Sequence, residues 1–112
     1  MAGSAEKRKK ILTEELKRIV STAAEMGAEK IILFGSLARG DVGRESDIDL
    51  LIVKKTNKRF LDRLDEFYSR IQPRVAVDVL VYTPEELESL AETRRFVKEI
   101  LAEGVVVYEK AR

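Results

Sequence analysis

Three aspartates lie in apolar segments of this sequence, where acidic residues are unusual. Asp47 and Asp49 belong to segment 46–50, and Asp78 lies among the valines of 75–81. Side chains alternate between the faces of a strand, so Asp47 and Asp49 share one face, with Cα atoms roughly 6.5–7 Å apart. If the strand of Asp78 is their neighbour in register, the three carboxylates converge. Because crowded carboxylates repel each other, the pattern indicates a divalent cation, and Mg²⁺ is the natural choice.

A glycine–serine turn upstream supplies groups that suit a phosphate. Gly35 follows the apolar run 30–34 and lets the backbone approach a ligand closely. We expect Ser36 to cap a short helix that Gly40 closes, and the free N–H groups at the start of a helix can hold phosphate. Arg39, one turn further on, adds positive charge. With a pair of Mg²⁺ ions among the carboxylates, these groups predict a site for a Mg-bound triphosphate.

Each of these features alone has a plainer interpretation. A lone glycine–serine pair is an ordinary turn, a lone Asp-x-Asp is often an exposed strand end, and Asp78 alone suits a salt bridge. Arg39 and Arg44 alone would be solvated loop charges. The basic run at 7–10 is either a solvated helix start or a contact for phosphate or an acidic partner. The combination of turn and aspartates is much rarer than its parts, and it favours the site.

Hydrophobic periodicity divides the chain into alternating helices and strands. The predicted helices cover 5–26, 58–71 and 83–104, with a break near Thr93 in the last, and the short one after Gly35. The predicted strands cover 30–34, 47–53, 75–82 and 105–108, the last a candidate edge strand. Thr83, Pro84 and Glu86 form a capping-box helix start. The order α-β-α-β-α-β-α-β indicates an α/β (α+β) fold in which helices cover a sheet.

The two later helices each carry an apolar face. In the helix over 58–71 these residues are Phe60, Leu61, Leu64, Phe67, Tyr68 and Ile71. In the last helix they are Phe96, Val97, Ile100 and Leu101.

Length and composition narrow the possible functions. The 112 residues fit one domain over 1–112. The absence of Cys and His excludes thiolate and imidazole catalysis as well as His-based zinc sites. A net charge of +1 with interleaved signs gives no overall attraction to nucleic acid. Without a signal-peptide pattern or an apolar run long enough to span a bilayer, we expect a cytoplasmic protein with no membrane partner.

The glycine–serine turn and the aspartate pair together resemble a known family signature. Residues 35–50 are similar to the Gly-Ser-x10-Asp-x-Asp pattern of the DNA polymerase β-like nucleotidyltransferase superfamily, with ten residues between Ser36 and Asp47. The short chain resembles the minimal nucleotidyltransferase (MNT) branch, often called the MNT antitoxins, over roughly 10–108. This resemblance implies the polymerase β-like fold, a mixed sheet of about four strands flanked by helices.

The resemblance also implies a role for each site residue. Asp47 and Asp49 would be ligands of two Mg²⁺ ions. Asp78, the third carboxylate, would bind the catalytic metal and help to deprotonate the attacking hydroxyl. The β- and γ-phosphates would be held at the turn. The implied nucleotide-binding set is Gly35, Ser36, Arg39 and Ser46.

The activity implied by the resemblance is transfer of a nucleotide, AMP from ATP, to an acceptor hydroxyl. MNT proteins are typically encoded beside a helical HEPN protein, and some act as antitoxins by transferring AMP to a tyrosine of that toxin. We expect no acceptor-binding domain in this chain, which leaves two other functions open. One is a binding module that neutralises a helical partner by occlusion, and the other is an NTP sensor without transfer. The acceptor, the base preference and the oligomeric state are not readable from the sequence, and an oligomer stays possible.

Overall fold

A computed structural model describes residues 3–111 and contains one four-stranded sheet flanked by helices. The elements in chain order are α1 Ser4–Glu25, β1 Lys30–Phe34, α2 Gly35–Arg39, β2 Ile48–Val53, α3 Phe60–Ile71, β3 Val77–Tyr82, α4 Pro84–Thr93, α5 Arg95–Glu103 and β4 Val105–Glu109. The predicted α/β fold class is confirmed. Within the described part of the chain, no helix combines the length and the apolarity that crossing a membrane requires.

The sheet is mixed, with strand order β3-β2-β1-β4. β1 pairs antiparallel with both β2 and β4, whereas β2 and β3 are parallel. Parallel neighbours need a crossover connection, and α3 provides it. Because β2 and β3 run in the same direction, both strands begin at the same end of the sheet. β4 lies at an edge, as the sequence predicted.

Alternation along β2 divides its side chains between two apolar layers. Ile48, Leu50 and Ile52 are buried in the larger layer, which is completed by α1 and α3. Leu51 and Val53 are buried on the opposite face, where α5 contributes Ile100. Side chains from both layers cover this strand, so its backbone is fixed between them. The first residues of β2 are therefore held in a defined position.

The apolar faces of α3 and α5 are only partly buried. In α5, Val97 and Ile100 are buried, but Phe96 is 56% exposed and Leu101 39% exposed. Leu61 in α3 is 71% exposed. A helix that lies on a sheet contacts it through a stripe, so apolar residues beside that stripe stay outside the core. Phe96 is thus free of a core-packing role.

The capping box at the start of α4 forms as predicted and is connected to α3. The Thr83 hydroxyl accepts from the Glu86 N–H at 3.2 Å, and the Glu86 carboxylate accepts from the Thr83 N–H at 2.8 Å. The buried Arg63 donates to the same carboxylate at 2.6 Å and to the Val81 carbonyl at 3.0 Å. These bonds anchor α3 to the end of β3.

A buried carboxylate ties α1 to the turn before β3. Glu15 accepts two hydrogen bonds from Arg18, at 2.8 and 2.9 Å, and one from the Arg74 N–H at 2.5 Å. Arg18 also donates to the Ile71 carbonyl at 2.9 Å. The hydrogen bonds from Arg18 are the main reason that the pKa of Glu15 falls from 4.5 to about 2. The cluster fixes the turn from which β3, with Asp78, departs.

We predict that Glu15→Gln lowers the free energy of unfolding at neutral pH and flattens its dependence on acid. A carboxylate with a lowered pKa stabilises the fold above its unfolded pKa, and this contribution is lost as the pH falls from about 4.5 towards 2. Its size is on the order of 3 kcal/mol. Urea unfolding at a series of pH values measures the effect, with the exposed Glu14→Gln as control. An acid dependence unchanged from the wild type would contradict the assignment.

Candidate active site

Asp49 lies between the glycine turn and the third aspartate. Its antiparallel partner in β1 is Phe34, the residue before Gly35. Its parallel partner in β3 is Asp78. Neighbouring strands are about 4.8 Å apart, so register partners are adjacent across the sheet. The sheet therefore brings the turn and two of the predicted carboxylates side by side, with Asp47 two residues before Asp49.

The electrostatics of these aspartates are unfavourable in the absence of a cation. Asp49 is half-buried, and its pKa is raised from 3.8 to about 6, in the first place by this burial. The negative charges of Asp78 and Asp47, and hydrogen-bonding contact with Asp78, contribute to the same rise, while the Arg39 charge opposes it. Asp78 itself is exposed on the edge strand β3. This concentration of like charge favours any cation that enters.

The donor types at this place fit Mg²⁺. They are carboxylate oxygens, and Mg²⁺ is typically held by one or two carboxylates together with substrate phosphates and water. Mutual repulsion around Asp49 would be relieved by a divalent ion. Among residues 3–111 no three acidic side chains already stand close enough to enclose a metal ion. The residues that could contribute ligands here are Asp47, Asp49 and Asp78.

Gly35 makes the close approach between the turn and Asp49 possible. Its φ is +76°, a left-handed conformation that favours glycine. A Cβ at this position would collide with the Asp49 carboxylate, whose Cγ would be 3.0 Å away. Gly40, with φ +74°, closes α2 as predicted, but no atom lies within 4 Å of the place of its Cβ. Of these two glycines, only Gly35 combines a left-handed backbone conformation with a close contact at the site.

Ser36 does not cap α2, so that prediction was wrong. The helix begins one residue earlier, at Gly35, with Phe34 in the capping position and no side-chain cap. Ser36 is thus inside the first turn, where its hydroxyl donates to Ser46 Oγ at 3.0 Å. Ser46 Oγ also accepts from the Gly43 N–H at 2.8 Å. Ser46 consequently joins α2 to the loop that leads into Asp47.

One member of the basic run near the N-terminus reaches this loop. Arg8 Nε donates to the Ser46 carbonyl at 3.1 Å, across 38 positions of sequence. Lys7, Lys9 and Lys10 are exposed, in keeping with a solvated helix start. The sequence contains no signal that would single out Arg8, because the contact depends on how α1 crosses the sheet. Arg8 supports the backbone directly before Asp47.

A cleft of about 370 Å³ opens beside Asp49. Its lining includes Gly35, Arg39 and Asp49 together with Phe34 and Phe96. The two phenylalanine rings meet edge to face, with centroids 6.1 Å apart. Sequence reasoning did not assign Phe96 to the site, because the apolar face of a helix does not show which of its residues stays outside the core. The acidic residues that also line the cleft are Glu99 and Glu103.

Mixed-sheet architecture and the aspartates beside the turn define an enzyme of phosphate-group transfer. The family model described as a nucleotidyltransferase domain matches residues 10–108. The chain belongs to this nucleotidyltransferase family. A solved structure from Sulfolobus solfataricus, named a "putative nucleotidyltransferase", is similar with a TM-score of 0.70 and 28% identity. The match covers 98% of this chain and 91% of that one.

Two proteins of Methanocaldococcus jannaschii are similar in sequence, and both are named "Putative protein adenylyltransferase". One is 37% identical over 81 residues, which are 71% of this chain and 78% of that protein. The other is 46% identical over 44 residues, which are 39% of this chain and only 44% of that protein's length.

We predict that Gly35→Ala abolishes nucleotidyl transfer, whereas Gly40→Ala does not. Both changes place alanine in a left-handed conformation, at a cost of about 1–2 kcal/mol each. Only the first drives a methyl group into the Asp49 carboxylate. Urea unfolding measures the shared cost, and transfer from α-labelled ATP measures the difference. Equal activity of the two variants would contradict the importance of this contact.

Proposed function

We propose that this chain transfers AMP from ATP, with Mg²⁺, to a hydroxyl group of a protein. In this proposal the acceptor is a tyrosine of a HEPN-type helical partner, and the transfer neutralises that partner. The observation that carries the proposal is the parallel register of Asp49 and Asp78 beside Gly35. The names of the two Methanocaldococcus relatives support AMP as the transferred group and a protein as the acceptor. The helical partner rests on the resemblance to the MNT branch.

In this proposal the glycine turn and its neighbours hold the triphosphate. Gly35 lets the backbone come close to the β- and γ-phosphates, and Ser36 lies next to it in the first turn of α2. Arg39 supplies positive charge from the end of α2. Ser46, through its bond to Ser36 and its link to Arg8, keeps this group in place. Fixed donors of this kind stabilise charge without having to reorganise during the reaction.

The aspartates have distinct roles in the proposed reaction. Asp47 and Asp49, with Asp78, would hold two Mg²⁺ ions, which when bound neutralise the charges of the triphosphate and of the leaving pyrophosphate. The acceptor oxygen attacks the α-phosphorus, and the bond from that phosphorus to the bridging oxygen breaks. Pyrophosphate leaves, and the hydroxyl proton passes to the Asp78 carboxylate. Because Asp78 is exposed on an edge strand, the hydroxyl of a second molecule can approach it.

We predict that Asp47→Asn and Asp49→Asn each lower transfer by at least about 100-fold, as loss of an electrostatic group at a reacting centre typically does. Each variant stays folded, because asparagine has the same shape and removes like-charge repulsion. The matched control is Asp65→Asn, which removes an exposed carboxylate from α3.

The measurement is mass spectrometry of the partner after incubation with ATP and Mg²⁺, where AMP transfer adds the mass of an adduct. Thermal unfolding checks that each variant is folded. Transfer at the wild-type rate by both aspartate variants would refute the proposed site.

Occlusion of the partner without chemistry is a second candidate, favoured by exposed apolar side chains on the terminal helices. Ile11 on α1 is 50% exposed, and Leu101 on α5 is also exposed. The doubly substituted protein, Asp47→Asn with Asp49→Asn, separates the two functions. Full neutralisation of the partner by this variant would favour occlusion. Binding of ATP by the wild type with no adduct on any partner would favour the sensor.

A further inference from the structure

An exposed aromatic ring, Phe96, lines the cleft beside Asp49, and packing of the core does not explain its position. Phe96 is more than half exposed, although α5 is anchored by its neighbour Val97 and by Ile100. The ring is nevertheless oriented, because it meets the Phe34 ring at an interplanar angle of 85°. A large apolar ring that is both held and exposed is suited to contact a ligand.

The same cleft also holds the groups proposed to meet phosphate. Gly35, Arg39 and Asp49 line it together with Phe96, in a volume of about 370 Å³. That volume lies within the usual range for sites that bind small molecules or cofactors. A nucleotide has two unlike ends, a charged phosphate chain and a flat aromatic base. The lining of the cleft includes both charged groups and an exposed aromatic ring.

Two acidic side chains follow Phe96 along α5. Phe96, Glu99 and Glu103 are spaced i, i+3 and i+7, which places them on one stripe of the helix. Both glutamates line the cleft. One oxygen of Glu99 pairs with the exposed Arg95 at 3.2 Å, which leaves its second oxygen available. Ionised carboxylates only accept hydrogen bonds, so this stripe favours a ligand that donates them.

We propose that Phe96 is the stacking surface for the base of the donor nucleotide, and that Glu99 and Glu103 select bases with an exocyclic amino group. The inference rests on the proposed function, because it takes triphosphate binding beside Gly35 as given. Adenine and cytosine present amino donors on their pairing edges, whereas uracil presents a carbonyl oxygen that a carboxylate repels. The site should therefore accept ATP and CTP and discriminate against UTP.

The test is calorimetric binding to the full chain with Mg²⁺, using α,β-methylene-ATP, its uridine counterpart and inorganic tripolyphosphate as probes. Loss of a base–aromatic stack weakens binding by about fivefold to 100-fold. We expect Phe96→Ala to weaken α,β-methylene-ATP by a factor in this range while tripolyphosphate binds as in the wild type. Phe96→Tyr retains the ring and should retain affinity. Leu61→Ala, which removes an exposed apolar side chain from α3, is the matched control.

Phe96→Leu keeps apolar volume without a flat face, so it tests stacking if the alanine variant does not fold. It should also weaken the ATP analogue. Glu99→Gln with Glu103→Gln should narrow the preference for the ATP analogue over the uridine analogue, because each amide can donate to a carbonyl oxygen.

Wild-type affinity of Phe96→Leu for the ATP analogue would overturn the inference. An equal loss of tripolyphosphate affinity would also overturn it, since it would assign Phe96 a structural role. Unchanged nucleotide affinity with lost AMP transfer to the partner would instead make Phe96 a partner contact. In each of these cases the proposed function survives, whereas a wild type that binds neither nucleotide nor tripolyphosphate would refute both.

Discussion

The burial of the Asp49 carboxylate beside other negative charges is the constraint on which this site depends. Parallel pairing of β2 and β3 sets Asp49 directly beside Asp78, and Asp47 lies two residues away. Burial and these neighbouring charges together raise the pKa of Asp49. A cation that enters this cluster would relieve the repulsion, and the Mg²⁺ ions of the proposed reaction are suitable for that role. The proposed reaction and the charge problem of the sheet therefore have the same solution.

Much of the scaffold serves to keep the strand ends where these carboxylates meet. Glu15 and its hydrogen bonds hold the turn before β3. The Tyr68 hydroxyl donates to the Val77 carbonyl at 2.5 Å, directly before Asp78. Arg8 holds the Ser46 carbonyl directly before Asp47. Each contact joins a helix to the residue or turn that comes before one of the aspartates. The packing of the helices therefore fixes the positions of the carboxylate oxygens.

Asp49 and Asp78 differ in their exposure to solvent, and this difference suits a reaction between a bound donor and a separate acceptor. Asp49 is half-buried against Gly35 in a cleft, whereas Asp78 is exposed on an edge strand. In α5 the side chains are divided in the same way: Val97 is buried and Phe96 faces the cleft. A small ligand can be enclosed on one side while a protein approaches from the other.

The sequence by itself determined the element order and the capping box at Thr83, because these depend on local periodicity and on residues close in the chain. It also pointed to Asp78, but only the tertiary structure decided that β3 lies beside β2 in register. The tertiary structure also decided the hydrogen bond from Arg8 to Ser46 and the exposure of Phe96. Both depend on how helices far apart in sequence cross the sheet, and hydrophobic pattern does not encode that angle.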